Sequence, residues 1–282
     1  MLNELRKNIV NTIASRHVVG SGLEDALPIC LWANRMGFRT ILSPWAWPGD
    51  DSQIMTQRYK TAFESLQYKD FDCYVSVKLD AIRYDLGLFK ELVEAARSAK
   101  TRLHVDSLDP GSADMAFDFI EKGKQWHQDL GCTIPSRWQR SIDDVERALD
   151  LGLSVRIVKG QWADPGHGRV DCKINYLAIA EKLAGKARHV GVATHDVPLA
   201  KKALACLTSA STYCEMEQLA TLPLNGMKIA KRYGYAYRLY VGYGHPGVPY
   251  NIRFVLSRPS MVAWIIADFA FNLRKPWSGV IA

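Results

Sequence analysis

The feature that most constrains this chain is a regular alternation of two patterns. Short β-prone runs recur along it, and amphipathic stretches with helical spacing separate most of them. The runs are 38–43 (FRTILS), 72–78 (DCYVSVK), 102–107 (RLHVDS), 131–135 (GCTIP), 153–159 (LSVRIVK), 189–194 (HVGVAT), 211–216 (STYCEM) and 237–242 (YRLYVG). Helical candidates between them include 85–99, 142–151, 175–183 and 199–209. Eight strands alternating with helices imply a closed parallel (β/α)8 barrel of the TIM type, an α/β fold. Such a barrel takes about 250 residues. The 282 residues here leave room for additional N- and C-terminal helices. No Pro/Gly/Ser linker or low-complexity segment interrupts the chain, so 1–282 reads as a single barrel domain.

Composition agrees with a packed enzyme-sized core. Hydrophobic residues make up 48% and charged residues 23%, which excludes a disordered chain and a coiled coil. The net charge of +7 suits an acidic ligand, a phosphate-rich cofactor or an anionic membrane surface. The cations are dispersed, so no nucleic-acid partner is expected. The six cysteines form no C-x-x-C pair and no zinc-like cluster, so they read as reduced thiols of a cytoplasmic protein and no metal is expected. Residues 1–17 lack the apolar core of a signal peptide, and Leu5, Ile9 and Ile13 fall at helical spacing. The most apolar stretch, 261–271, is too short for a membrane span and contains Asp268.

Chemistry in such a barrel sits where strands end and loops begin. The strand ends supply Ser43, Lys78, Asp106, Pro135, Arg156, Lys159, Thr194, His195, Glu215, Glu217 and Tyr240. Ionisable groups on apolar strands are costly unless paired or functional. In 155–162 (V-R-I-V-K-G-Q-W), Arg156 and Lys159 precede a flexible Gly160. They suit an anionic ligand or an electron-rich ring, or else form strand-end salt bridges to Asp106 or Glu215. In 193–196 (A-T-H-D), the imidazole is a metal ligand, a general base or a hydrogen-bond donor, but no H-x-H pair supports a metal. After 237–244 (Y-R-L-Y-V-G-Y-G) comes 250–253 (Y-N-I-R), whose arginine either clamps a carboxylate over the mouth or is solvated. Trp45, Trp47, Trp138 and Trp264 read as packing residues, and Trp162 alone sits within a site motif.

These motifs together resemble the proline dehydrogenase family, FAD-dependent barrels that oxidise L-proline to pyrroline-5-carboxylate. V-S-V-K at 75–78 resembles its S-x-K strand, and H-V-D at 104–106 its strand-three aspartate. V-R-I-V-K-G resembles V-R-L-V-K-G, and A-T-H-D resembles A-T-H-N. C-E-M-E at 214–217 resembles Y-E-x-Q. R-L-Y-V-G-Y-G and Y-N-I-R resemble R-V-Y-x-P-Y-G and Y-L-V-R-R. The resemblance runs from about Val18 to Arg258, as a divergent member.

The resemblance implies an FAD-dependent oxidoreductase acting on a CH–NH bond, with hydride transfer to flavin N5. It places Arg156 near N5, and Arg156, Val158, Lys159, Gly160, Trp162, Thr194, His195 and Glu215 against the flavin. It puts Lys78, Asp106, Tyr240, Arg253 and Phe254 around the substrate, with Lys78 and Arg253 facing its carboxylate. Arg156, Lys78, Asp106 and Tyr240 are then the catalytic set. Departures from the family pattern are Phe254 for a second arginine, Ser257 for a glutamate, Pro135 for a glutamine, Trp162 for a tyrosine and Asp196 for an asparagine. They direct expectation to proline or a proline-like cyclic amine. The implied electron acceptor is quinone or oxygen, with a peripheral contact to the inner membrane. Two other readings of the residues stand beside this one. One is a Schiff-base lyase or aldolase using Lys78 or Lys159. The other is a barrel that binds a ligand without turnover.

Overall fold

The computed structural model describes residues 18–47, 49–67, 70–162, 164 and 170–245. A helix, α1 (Leu23–Arg35), precedes the first strand. Then β1 (Arg39–Trp45), α2 (Ser52–Leu66), β2 (Cys73–Val77), α3 (Leu86–Ser98), β3 (Leu103–Val105) and α4 (Ala113–Gly123) alternate. The pattern continues through β4 (Leu130–Pro135), α5 (Ser141–Asp150), β5 (Ser154–Val158), α6 (Cys172–Leu183), β6 (Val190–Ala193), α7 (Val197–Ser209), β7 (Cys214–Leu219), α8 (Asn225–Tyr233) and β8 (Ala236–Gly244). All neighbours are parallel, and β8 pairs with β1 from Arg39↔Arg238 to Trp45↔Gly244, which closes the barrel. The (β/α)8 expectation is met. The expected C-terminal helices, and residues 1–17, lie outside the described residues.

Local chemistry explains the elements. Asp51, Asp85, Asp171 and Asp196 each cap a helix, their carboxylates accepting from backbone N–H groups of the first turn. On α3, Leu88, Phe89, Leu92, Val93 and Ala96 are buried, the spacing of one helical face. They pack against strand residues that point outward, such as Val75, Val77, Leu103 and Val105. Strands β1, β7 and β8 run further than their sequences suggest, β8 reaching Gly244 rather than Gly242. β1 passes through Pro44, which lacks a donor, and ends at Trp45 rather than Ser43. β7 starts three residues late, because Ser211 takes φ +57° in the turn after α7. It continues to Leu219, because Glu215 and Glu217 alternate into a barrel interior that is itself polar.

That interior departs from the branched aliphatic layers usual in such barrels. At the end where strands begin, the Arg238 guanidinium donates to Glu215 Oε1 at 2.5 Å and to Asp72 Oδ1 at 2.9 Å. Arg39 and His189 also contact Glu215, at 3.0 and 2.9 Å. Burial alone would raise the Glu215 pKa, but Arg238 and His189 drive it far below the usual range. Glu215, expected among the flavin-binding residues, is therefore a structural ion-pair partner at the opposite end of the barrel from the strand-end cavity. The expected strand ended at Met216, which placed Glu215 wrongly at the mouth.

Candidate active site

A cavity of about 420 Å³ opens at the strand C-termini. Its wall includes Trp45, Lys78, Asp106, Thr133, Pro135, Trp138, Arg156, Val158, Gly160, Trp162, Thr194, His195, Glu217 and Tyr240. Alternation along the strands aims Ser76, Asp106, Thr133, Arg156, Glu217 and Tyr240 inward, where their side chains meet.

Arg156 is the hub. Its side chain is 4% exposed. Nη1 donates to Asp106 Oδ1 at 2.5 Å and lies 3.2 Å from Ser76 Oγ. Nε donates to Glu217 Oε2 at 2.8 Å, and Nη2 donates to the Tyr74 hydroxyl at 3.0 Å. The Tyr74 hydroxyl in turn donates to Glu217 Oε1 at 3.0 Å. Burial works against the guanidinium charge, yet Tyr74, Glu217 and Asp106 outweigh it and push the Arg156 pKa well up. Asp106 also accepts from Thr133 Oγ1 at 3.1 Å and, on Oδ2, from the Tyr240 hydroxyl at 2.9 Å. Burial, followed by the charge on Asp106, raises the Tyr240 pKa well above that of a free phenol.

Lys78 is half-buried at the end of β2, its Nζ 4.4 Å from the centre of the Trp45 ring. No carboxylate lies within ion-pair distance of it among the described residues. Burial, together with the like charge of Arg156, lowers its pKa. Trp45 is itself fixed by its Nε1–H, which donates to Ser43 Oγ at 3.2 Å, and its ring lies against the position of Gly242.

The β6 end is built around a neutral imidazole. The Leu219 N–H donates to His195 Nε2 at 3.1 Å, and Nδ1 sits 3.2 Å from the Pro223 carbonyl. Burial lowers the His195 pKa to about 4. Gly160, after β5, has φ +85°, and a Cβ there would lie 2.7 Å from Pro135 Cβ. Only glycine suits that turn.

The cavity thus gathers Lys78, Asp106, Arg156, Val158, Gly160, Trp162, Thr194, His195 and Tyr240 from the expected set. It does not include Lys159, whose Nζ is 3.3 Å from Asp196 Oδ2, while Lys173 contacts the same oxygen at 2.8 Å. Arg253 and Phe254, and the departure at Ser257, lie outside the described residues. Trp45 and Trp138, taken as packing residues, line the cavity instead. Glu217 was read only as a strand-end acid, and Tyr74 and Thr133 were not singled out. Their alternation with Ser76 and Arg156 on inward-facing positions was the available signal.

No protein-family model matches the chain. Proline dehydrogenase 1 of Bacillus subtilis subsp. natto is 24% identical over 271 residues, 90% of this chain and 89% of that protein. Proline dehydrogenase of Deinococcus radiodurans is 23% identical over 211 residues, 68% of each. Among solved structures, proline utilization A (PutA) from Bdellovibrio bacteriovorus, inactivated by N-propargylglycine, superposes over 98% of this chain with a TM-score of 0.71 and 15% identity. PutA from Corynebacterium freiburgense covers 97% with a TM-score of 0.69 and 16% identity. The chain spans about a third of the length of these PutA chains, 34% in both, and the likeness to them is one of fold. Barrel, motif order and relatives agree, and the chain is similar over nine tenths of its length to proteins named proline dehydrogenase.

Proposed function

We propose that this chain is an FAD-dependent oxidoreductase that converts proline or a proline-like cyclic secondary amine to the imine. The observation that carries this reading is the floor of the cavity. There a guanidinium, a carboxylate and a phenol (Arg156, Asp106 and Tyr240) are locked together beside an ammonium, Lys78, that has no ion-pair partner among the described residues. The relatives named proline dehydrogenase, matched over nine tenths of the chain, support the same reading.

The residues suit a flavin ring. Trp138 and Trp162 offer flat apolar walls, and the small residues Gly160 and Ala193 leave room near Arg156. The donors of Arg156 account for Glu217, Asp106, Ser76 and Tyr74, which leaves one Nη2 N–H for a ring nitrogen or oxygen. Val158, Thr194 and His195 line the same cavity, and His195, being neutral, adds no charge there. The flavin, when bound, supplies the hydride acceptor.

The chain's own groups then bind and orient. The Lys78 ammonium holds the substrate carboxylate, with the Trp45 ring behind it. Tyr240 stays protonated, its hydroxyl 2.7 Å from Ser43 Oγ and 2.9 Å from Asp106 Oδ2, so Asp106 is the acceptor that takes the hydrogen bond of the substrate amine. The amine must be uncharged for hydride to leave the adjacent carbon. The electron acceptor is a quinone or oxygen. No helix among the described residues is long and apolar enough to cross a membrane.

The experiment is a dye-reduction assay of the FAD-reconstituted protein with proline and ring-substituted analogues. Reduction by proline or one analogue is expected; no reduction by any cyclic amine would contradict the proposal. The lowered Lys78 pKa is also what a Schiff-base lysine shows, whereas Lys159 is tied to Asp196. Borohydride trapping of a carbonyl compound on Lys78 would favour that second reading.

A further inference from the structure

We propose that Glu217 is a positioning residue that fixes the Arg156 guanidinium and sets the electrostatic potential at the cavity floor. This rests on the functional reading above, since the group that feels the potential is the flavin ring.

The geometry is a closed ring of three groups. Arg156 Nε donates to Glu217 Oε2, Arg156 Nη2 donates to the Tyr74 hydroxyl, and that hydroxyl donates to Glu217 Oε1, at 2.8, 3.0 and 3.0 Å. One edge of the guanidinium plane is thereby held, and Asp106 holds the remaining Nη1 at 2.5 Å. The plane has no freedom to turn about its own axis. Glu217 is 2% exposed, and the strand beside it makes space for it: a Cβ at Gly191 would lie 2.3 Å from Glu217 Oε1. A glycine on β6 is thus required by an acid on β7.

The arrangement also has an electrostatic consequence. Asp106 alone would balance Arg156. With Glu217, two carboxylates surround one buried guanidinium, and the charge it presents to the cavity is more than cancelled. Burying a second acid is costly. With Lys78 beside it the floor is then balanced rather than net positive, so it favours added electron density on the ring less than a floor without the Glu217 charge would, and it holds the ring's midpoint potential down. The amide of glutamine could keep its oxygen on Arg156 Nε and donate its NH2 to the Tyr74 hydroxyl, which reverses that one hydrogen bond and removes the charge. Aspartate would keep the charge but, one methylene shorter, could not hold both Nε and the Tyr74 hydroxyl.

The test is the midpoint potential of the FAD-loaded protein, read by equilibration with a reference dye. Glu217→Gln is expected to shift the equilibrium at least tenfold toward the reduced flavin, about 30 mV for a two-electron couple. Glu217→Asp is expected to stay within about threefold of the parent potential, while its FAD dissociation constant rises about tenfold. A flavin-loaded Glu217→Gln protein with the parent potential would overturn the proposal and leave the functional reading intact. If Glu217→Gln does not fold, Glu217→Asp decides: a tenfold shift in potential with the charge retained contradicts the inference. A parent protein that takes up no FAD removes the functional reading and this inference together.

Discussion

Arg156 makes its strongest contacts with residues 50, 61 and 82 positions away in the chain, two on other strands and one directly after β3. Replacing it by methionine leaves Asp106 and Glu217 without their cation in a buried site. Arg156→Met is expected to cost about 3–5 kcal/mol in urea unfolding, because each acid keeps its desolvation penalty. Arg156→Lys retains a charge but not the two-atom edge that meets Glu217 and Tyr74, so a smaller loss is expected. Lys78 is expected to act on the ligand rather than on the fold. Lys78→Met is expected to raise KM for a carboxylate-bearing substrate at least tenfold, the order of one charge-assisted hydrogen bond. Because burial and Arg156 lower the Lys78 pKa, KM should climb with pH at values where an ordinary lysine is still fully charged. A KM flat up to the usual lysine range would contradict its role. His195 gives a stability signature. An unfolded histidine takes a proton below about 6.5, while the folded one resists until about 4. The unfolded state binds more protons in between, so stability falls as pH drops through that window, by about 1.4 kcal/mol per unit at its steepest. His195→Asn should flatten that slope in urea unfolding between pH 7 and pH 4.

At the scale of elements, the β5 end shows why a site motif has the residues it has. Gly160 turns with φ +85° directly beneath Pro135, and Val158 and Trp162 flank it on the cavity wall. Gly160→Ala is expected to cost about 1–3 kcal/mol, a combination of left-handed strain and the contact with Pro135, read as a lowered Tm. An unchanged Tm would mean the turn has another conformation. The strand and helix pattern was legible in the sequence, because buried parallel strands write themselves as short apolar runs between amphipathic helices. Two ends were misjudged for identifiable reasons. The first run ends at Ser43, before Pro44, yet the strand tolerates the proline and β1 reaches Trp45. The seventh run ends at Met216, yet Glu217 meets Arg156 inside the barrel and Gln218 bonds the Thr194 carbonyl at 3.2 Å. Hydropathy cannot mark a strand whose inward face is charged. Lys159 failed for a related reason: its partner Asp196 caps α7, and that pairing depends on the β5 and β6 ends lying side by side.

For the whole molecule, the barrel combines two ionic tiers with opposite tasks. Around Arg238 and Glu215, ion pairs hold the end where strands begin. Around Arg156, ion pairs of the same kind line an open cavity. One tier is closed off and the other faces the cavity, and only the closed topology separates them. The sequence motifs gave no hint of that division, since Glu215 and Glu217 stand two residues apart on one strand. Divergence from the relatives, at 24% identity or less, leaves the barrel and the cluster of Lys78, Asp106, Arg156 and Tyr240 assembled. The most direct measurement is the visible absorbance spectrum of the FAD-reconstituted protein before and after L-proline is added without oxygen. A bound flavin spectrum that bleaches on addition is the expected result, with a proline-like amine bleaching it further if Trp45 and Trp162 favour a larger ring. A protein that binds no flavin, or a bound flavin that no cyclic amine bleaches, would contradict the assignment of this cavity to amine oxidation.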